Sequence, residues 1–233
     1  MSDLLTQMHT QVQAWENTAD HRAIFLTCYA MMTENMLLSV ANGQFADGPW
    51  VTTLTHHFAD YYFEALARYE AQQTPPVWTF TFDTACHGCA HVLQNLLLGV
   101  NAHICYDLIF ALADRICDEW PDLPDSARAL RYQDYCTVND VIGATLDAVQ
   151  DDVVEAHSPF MIAVDYAFGR LDEWMIHTMI KRWREQVWGQ AVVYVTAPPE
   201  QKPALRQAYT EQAEKRSRAI QGQHGIRGII DLF

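Results

Sequence analysis

The sequence predicts an all-α fold, a single helical bundle domain of about six to eight helices around one long central helix. Three observations carry this. Apolar residues in every long segment recur at three and four positions, the spacing of one helix face. The breaks between segments fall at helix-stopping residues: Asn42-Gly43, Gly48-Pro49, Thr74-Pro75-Pro76, Pro121 with Pro124, and Ala197-Pro198-Pro199. The one alternating run, Thr79 to Phe82, is too short and too isolated to build a sheet and reads as an extended loop.

The first helix covers about residues 3–16, with Leu4, Leu5, Met8, Val12 and Trp15 on one face. Asp20 suits the N-cap of a second, over about 21–41, whose stripe includes Ile24, Phe25, Cys28, Tyr29, Met32 and Met36. A turn-rich connector leads to a third helix over about 50–71, with Trp50, Leu54, His57, Phe58 and Tyr61 on one face. The fourth runs from Asp83 or Thr84 to about Cys117, long enough to span the domain. It contains Gly88 and Gly99. Each costs about 1 kcal/mol against Ala in an exposed helix, so close packing or a bend should compensate. Asp125 or Ser126 caps a fifth helix to about Gln150. Ser158-Pro159 opens the last long helical region, which Gly169 divides; its second part, about 171–195, carries Ile176, Ile180, Trp183, Val187 and Trp188. A polar helix over about 200–220 follows. Residues 1–195 thus form the bundle, and 196–233 a C-terminal helix and tail. The apolar end, Ile229-Ile230-Asp231-Leu232-Phe233, is expected to dock on the domain or on a second subunit, which makes a homodimer one candidate assembly.

Composition bounds the function. The 233 residues are 50% hydrophobic and 19% charged, ample for a core, and seven Trp make that core bulky. A formal net charge of −14 repels phosphate backbones, so nucleic acid is not an expected partner. The N-terminus lacks the basic and apolar regions of a signal peptide, and no uninterrupted apolar run reaches the roughly 18 residues of a membrane span. A cytoplasmic protein is expected, in which the six Cys serve as small core residues and not as disulfides. The glycine-rich nucleotide loops, the G-x-S-x-G elbow and H-E-x-x-H are all missing from the sequence.

Chemistry concentrates on the fourth helix. His103 and Asp107 are one helical turn apart on an otherwise apolar stripe through Leu93, Leu96, Val100 and Phe110. Such a pair can share a metal ion, act with the Asp orienting the His as acid or base, or form a buried polar clamp. Asn101 lies off that face and is expected to hydrogen-bond a neighbouring helix or a substrate. Asp134 and Asn139 interrupt apolar rows of the fifth helix and are natural partners for His103 and Asp107. On the last long helix, Asp172, Glu173 and His177 include an i, i+4 ligand pair, and Arg184 lies between Ile180 and Trp188. A buried Arg184 would neutralise Asp107 or Asp134, or bind an anionic substrate. Cys86-His87-Gly88-Cys89-Ala90-His91 is dense in ligand types, yet one continuous helix cannot converge them on one ion; it reads as a helix start with small buried Cys. His57 reads as a core residue on an aromatic face.

Gly99-Val100-Asn101-Ala102-His103-Ile104-Cys105-Tyr106-Asp107-Leu108 resembles the G-[IMV]-N-A-H-I-N-x-D-L signature of the bacterial family catalogued as domain of unknown function 5995. Asp20-His21-Arg22 with Phe25 and Tyr29, Phe45-Ala46-Asp47 with Trp50 and Phe58, Tyr132-Gln133-Asp134-Tyr135 with Asn139, and Arg184 with Trp188 resemble its other segments, over about residues 18–190. Cys105 stands where the pattern often has Asn. The resemblance implies a helical domain and no activity. More locally, His-x-x-x-Asp is similar to a ligand element of the helical zinc-dependent phospholipase C and P1 nuclease families, although Ile109 to Cys117 holds none of the His that follow it there.

The functional expectation is a metal-dependent helical enzyme acting on a small molecule, such as a hydrolase of ester or phosphoester bonds. His103 and Asp107 would ligate a divalent Zn or Fe with His177, while Asp134 serves as base and Arg184 as anion binder. Asn101, Asn139 and Trp188 would contact substrate. A di-iron-type oxidase and a non-enzymatic binding or scaffold domain are the alternatives.

Overall fold

Helix ends in this chain are set by capping side chains and prolines. In the computed structural model, which describes residues 2–88, 90–151 and 173–222 (side chains except those of 146–151 and 173–176), eight helices and no strand are present among the described residues. They are α1 (Asp3–Glu16), α2 (Arg22–Ala41), α3 (Gly48–Glu70), α4 (Pro76–Cys86), α5 (Val92–Ile116), α6 (Asp125–Asp151), α7 (Glu173–Thr196) and α8 (Lys202–Gly222). Ser2 Oγ accepts from the Leu5 N–H at the start of α1, and Asp20 Oδ1 accepts from the Arg22 N–H at the start of α2. Asp47 Oδ1 accepts from the Trp50 N–H at the start of α3, with Pro49 in its first turn. The all-α class therefore stands. Ser158, Pro159, Gly169 and the tail beyond Gly222 lie outside the described residues.

One element differs from expectation. Thr79 to Phe82 is helical, inside α4, and the long fourth helix is two helices. Pro75-Pro76 opens α4 and does not merely end α3, because a first-turn Pro gives up an N–H that has no partner there anyway. Gly88 then adopts φ +62°, a left-handed conformation that stops α4, and α5 starts at Val92 with Gln94 Oε1 accepting from the His91 N–H. Gly99 is a contact glycine. A Cβ there would fall 2.3 Å from the Phe25 ring, so its absence lets α2 approach α5 closely.

α5 is the central helix, buried along nearly its whole length and surrounded by α2, α3, α4, α7 and α8. Its turn His103–Asp107 is π-helical, a rare form inside α-helices that is frequent at functional sites. Both α2 and α5 are long and apolar enough to cross a membrane; each packs within the bundle. α8 is bound to α5 by Asn101, whose Nδ2 donates to Ala213 O and Ser217 Oγ, and by Gln94, which donates to the Ile220 and Gln221 carbonyls.

Candidate functional site

A cavity of about 160 Å³ lies between α2, α3, α5, α6 and α7. Phe25, Met32 and Met36 of α2, Leu54 and Phe58 of α3, Leu96 and Val100 of α5, and Ile142 of α6 give it an apolar wall. Two basic side chains interrupt that wall, His103 from α5 and Arg184 from α7. The rows read from the sequence explain this placement: each of the two sits on a helix face that is otherwise apolar and turned inward.

His103 is 1% exposed. Its ring stacks on Phe58 at 3.6 Å between centroids and 5° between planes, and meets Tyr29 edge-on at 4.4 Å. Nδ1 lies 3.2 Å from Asp107 Oδ2, and the same oxygen accepts from Trp78 Nε1 at 2.8 Å. Asp107 is itself behind the wall, 3% exposed. Burial disfavours charge on both partners. It pushes the Asp107 carboxyl well above the usual carboxylate range, against the Trp78 hydrogen bond, and pushes the His103 imidazolium well below the usual histidine range. His103 Nε2 is buried and has no hydrogen-bond partner among the described residues. Trp50 Nε1, on another wall residue, is also unpartnered.

Arg184 is held rigidly. Nε donates to Asn139 Oδ1 at 2.8 Å, Nη2 donates to Tyr135 O at 2.9 Å, and the guanidinium lies 4.3 Å over the Tyr135 ring. The Tyr135 hydroxyl donates in turn to Arg184 O at 2.6 Å. Burial lowers the guanidinium pKa. Among the described residues no carboxylate pairs with it. Asp107 is engaged by His103 and Trp78, and Asp134 is engaged elsewhere.

The remaining sequence candidates fall in other places. Asp134, expected to face His103 and Asp107, accepts instead from the Ala46 and Asp47 N–H groups, at 2.8 Å each. Connector amides buried against a helix need acceptors, and two adjacent ones match one carboxylate. Asp47 in turn caps α3 and pairs with Arg131 at 2.6 Å, so Asp134 positions the α3 wall from outside the cavity. Asn139 supports Arg184. Asn101 serves α8. Trp188 packs against Trp120, Tyr132 and Tyr135, away from the cavity lining. His177 Nε2 meets Asn139 O at 2.9 Å; Asp172 and the Glu173 side chain lie outside the described residues. His57 is half-exposed and meets Asp114 at 3.2 Å, so it is not a core residue. Cys86 is exposed and Cys89 lies outside the described residues, whereas Cys28 and Cys105 are buried as expected. Among the described residues no three His, Cys, Asp or Glu side chains gather closely enough to hold a metal ion, so His103, Asp107 and His177 do not form a common ligand set.

The sequence reading missed Trp78 and the aromatic cage of Tyr29, Phe58 and Tyr62 around His103. The signal for Phe58 and Tyr29 was present, since each lies on the predicted inner stripe. For Trp78 it was hidden by the reading of Pro75-Pro76 as a stop.

A family model described as a family of unknown function, DUF5995, matches residues 1–223. Neither a curated protein nor a solved structure matches the chain.

Proposed function

We propose that this chain, which belongs to the DUF5995 family of unknown function, binds a small, mostly apolar molecule in the inner cavity and fixes it by one hydrogen bond from His103. The observation that carries the reading is the buried Nε2, without a hydrogen-bond partner among the described residues, of a histidine whose side chain lines the apolar cavity. A buried polar group left unmade costs about 1–3 kcal/mol, and an apolar cavity of about 160 Å³ has room for a benzene-sized molecule. A ligand that brings an acceptor to Nε2 recovers that cost while its body fills the space.

The Asp107 pair sets the polarity of this contact. Burial favours a pair that is neutral overall. When one proton is held between Oδ2 and Nδ1 and Asp107 Oδ1 carries none, neutrality puts a hydrogen on Nε2, whichever partner owns the shared proton. Nε2 is then a donor, and the ligand group facing it is an acceptor oxygen, of a carbonyl, ether, hydroxyl or carboxylate. A metal centre draws less support from the donor set. Nδ1 and Oδ2 already engage each other, Trp78 occupies Oδ2 as well, and Nε2 alone is left.

Acetophenone and ethylbenzene, alike in size, test the reading by calorimetric titration. Wild type should bind both saturably. His103→Phe, which keeps an aromatic ring against Phe58, should lower the acetophenone-to-ethylbenzene affinity ratio about fivefold, the worth of one net hydrogen bond. No binding to wild type, or an unchanged ratio in a folded variant, would overturn it.

A further inference from the structure

Arg184 narrows the ligand class. A guanidinium that is 4% exposed loses most of its hydration, and such a charge is normally matched by a carboxylate. In a chain of net charge −14, acidic partners are plentiful, yet none reaches this Arg among the described residues. Its fixing contacts are all neutral: the Asn139 side-chain oxygen, the Tyr135 carbonyl and the Tyr135 ring. They use Nε and Nη2, and no hydrogen bond to Nη1 is present among the described residues. The group is thus held in one orientation, with no carboxylate partner among the described residues, on the wall of a cavity whose other lining is almost wholly apolar.

Building on the cavity reading above, we infer that the natural ligand is a hydrophobic monocarboxylate, an aryl or medium-length acyl acid whose carboxylate pairs with Arg184 and whose hydrocarbon body lies along the apolar wall. One cation facing one carboxylate leaves no excess charge buried, whereas a phosphate dianion would leave one negative charge unmatched. A neutral hydrocarbon would fill the space and leave Arg184 unpaired. An amine would place like charge against it.

Phenylacetate, its neutral isostere phenylacetamide and the cation phenethylamine, titrated into the wild-type full chain at pH 7, provide the test. Phenylacetate should bind at least tenfold more tightly than phenylacetamide and raise the melting temperature more at equal concentration, with no detectable binding of phenethylamine. Arg184→Gln should bring acid and amide to equal affinity. If that variant does not fold, the wild-type comparison decides alone. Acetophenone binding with phenylacetate no tighter than its amide would overturn the anion assignment and leave the cavity reading intact. Failure of acetophenone, ethylbenzene, phenylacetate and phenylacetamide alike to bind would overturn both.

Discussion

At the scale of single residues, the centre is a His–Asp pair that burial keeps from charging. For Asp107 the folded pKa is raised far above the unfolded value of about 3.9, so the native state holds a proton that the unfolded chain has released. Its contribution to stability therefore falls as pH rises from about 4 toward the raised pKa. For His103 the folded pKa is lowered, so its contribution falls in the other direction, as pH drops below about 6.5 and the unfolded chain takes up a proton that the native ring refuses. Asp107→Asn isolates the first term, because Asn can still accept from Trp78 without ionising. Urea unfolding between pH 5.5 and 9 should show wild type losing stability relative to Asp107→Asn as pH rises. A difference that stays constant or grows in favour of wild type would contradict the assignment. The same two residues stood out in the sequence because ionisable groups on an apolar helical row are costly unless partnered. Their partners were less legible. Asp107 rests on Trp78, which the Pro75-Pro76 pair made look like loop.

At the scale of elements, the cavity depends on how α3 is seated. The connector before it is held by Asp134 through two backbone hydrogen bonds, and Asp47 carries the restraint into the first turn of α3. The Arg131 hydrogen bond holds the Asp47 carboxyl below the usual range. Asp134→Ala leaves two amides without acceptors and should destabilise the protein by about 2 kcal/mol. Hydrogen exchange should show the Ala46 and Asp47 amides losing protection while α5 retains its own; protection unchanged at both amides would remove Asp134 from this role. Sequence spacing showed that Asp134 faces inward, but the identity of what it meets depends on tertiary docking of a connector 87 residues away. The division of the expected fourth helix has a similar origin. Gly88 is compatible with a packed helix or with a left-handed stop, and only the placement of α4 against α3 and α5 selects the latter.

At the scale of the whole molecule, the fold class was legible because helical periodicity is a local signal repeated in every segment, while the cavity was not, because five helices must meet before it exists. The apolar rows anticipated its lining from α2, α3, α5 and α6, and the ionisable residues that interrupt the α5 and α7 rows, His103 and Arg184, line it too. They could not show that Arg184 would meet neither Asp107 nor Asp134, or that Asn101 and Trp188 would serve helix packing. Those outcomes follow from which side each neighbouring helix docks on. The resulting arrangement is consistent across levels: a π-helical turn in the central helix sets His103 into an aromatic cage, and a rigid Arg faces the same interior.

The central claim is that His103 Nε2 is a hydrogen-bond donor reserved for a ligand. Imidazole ¹⁵N NMR of the full-length protein at neutral pH reads it directly. The account predicts that the His103 Nε2 signal lies in the range of a nitrogen bearing hydrogen and shifts on saturation with acetophenone, with the half-exposed His57 unaffected. An Nε2 without hydrogen, or one that does not respond to the bound ketone, would contradict it.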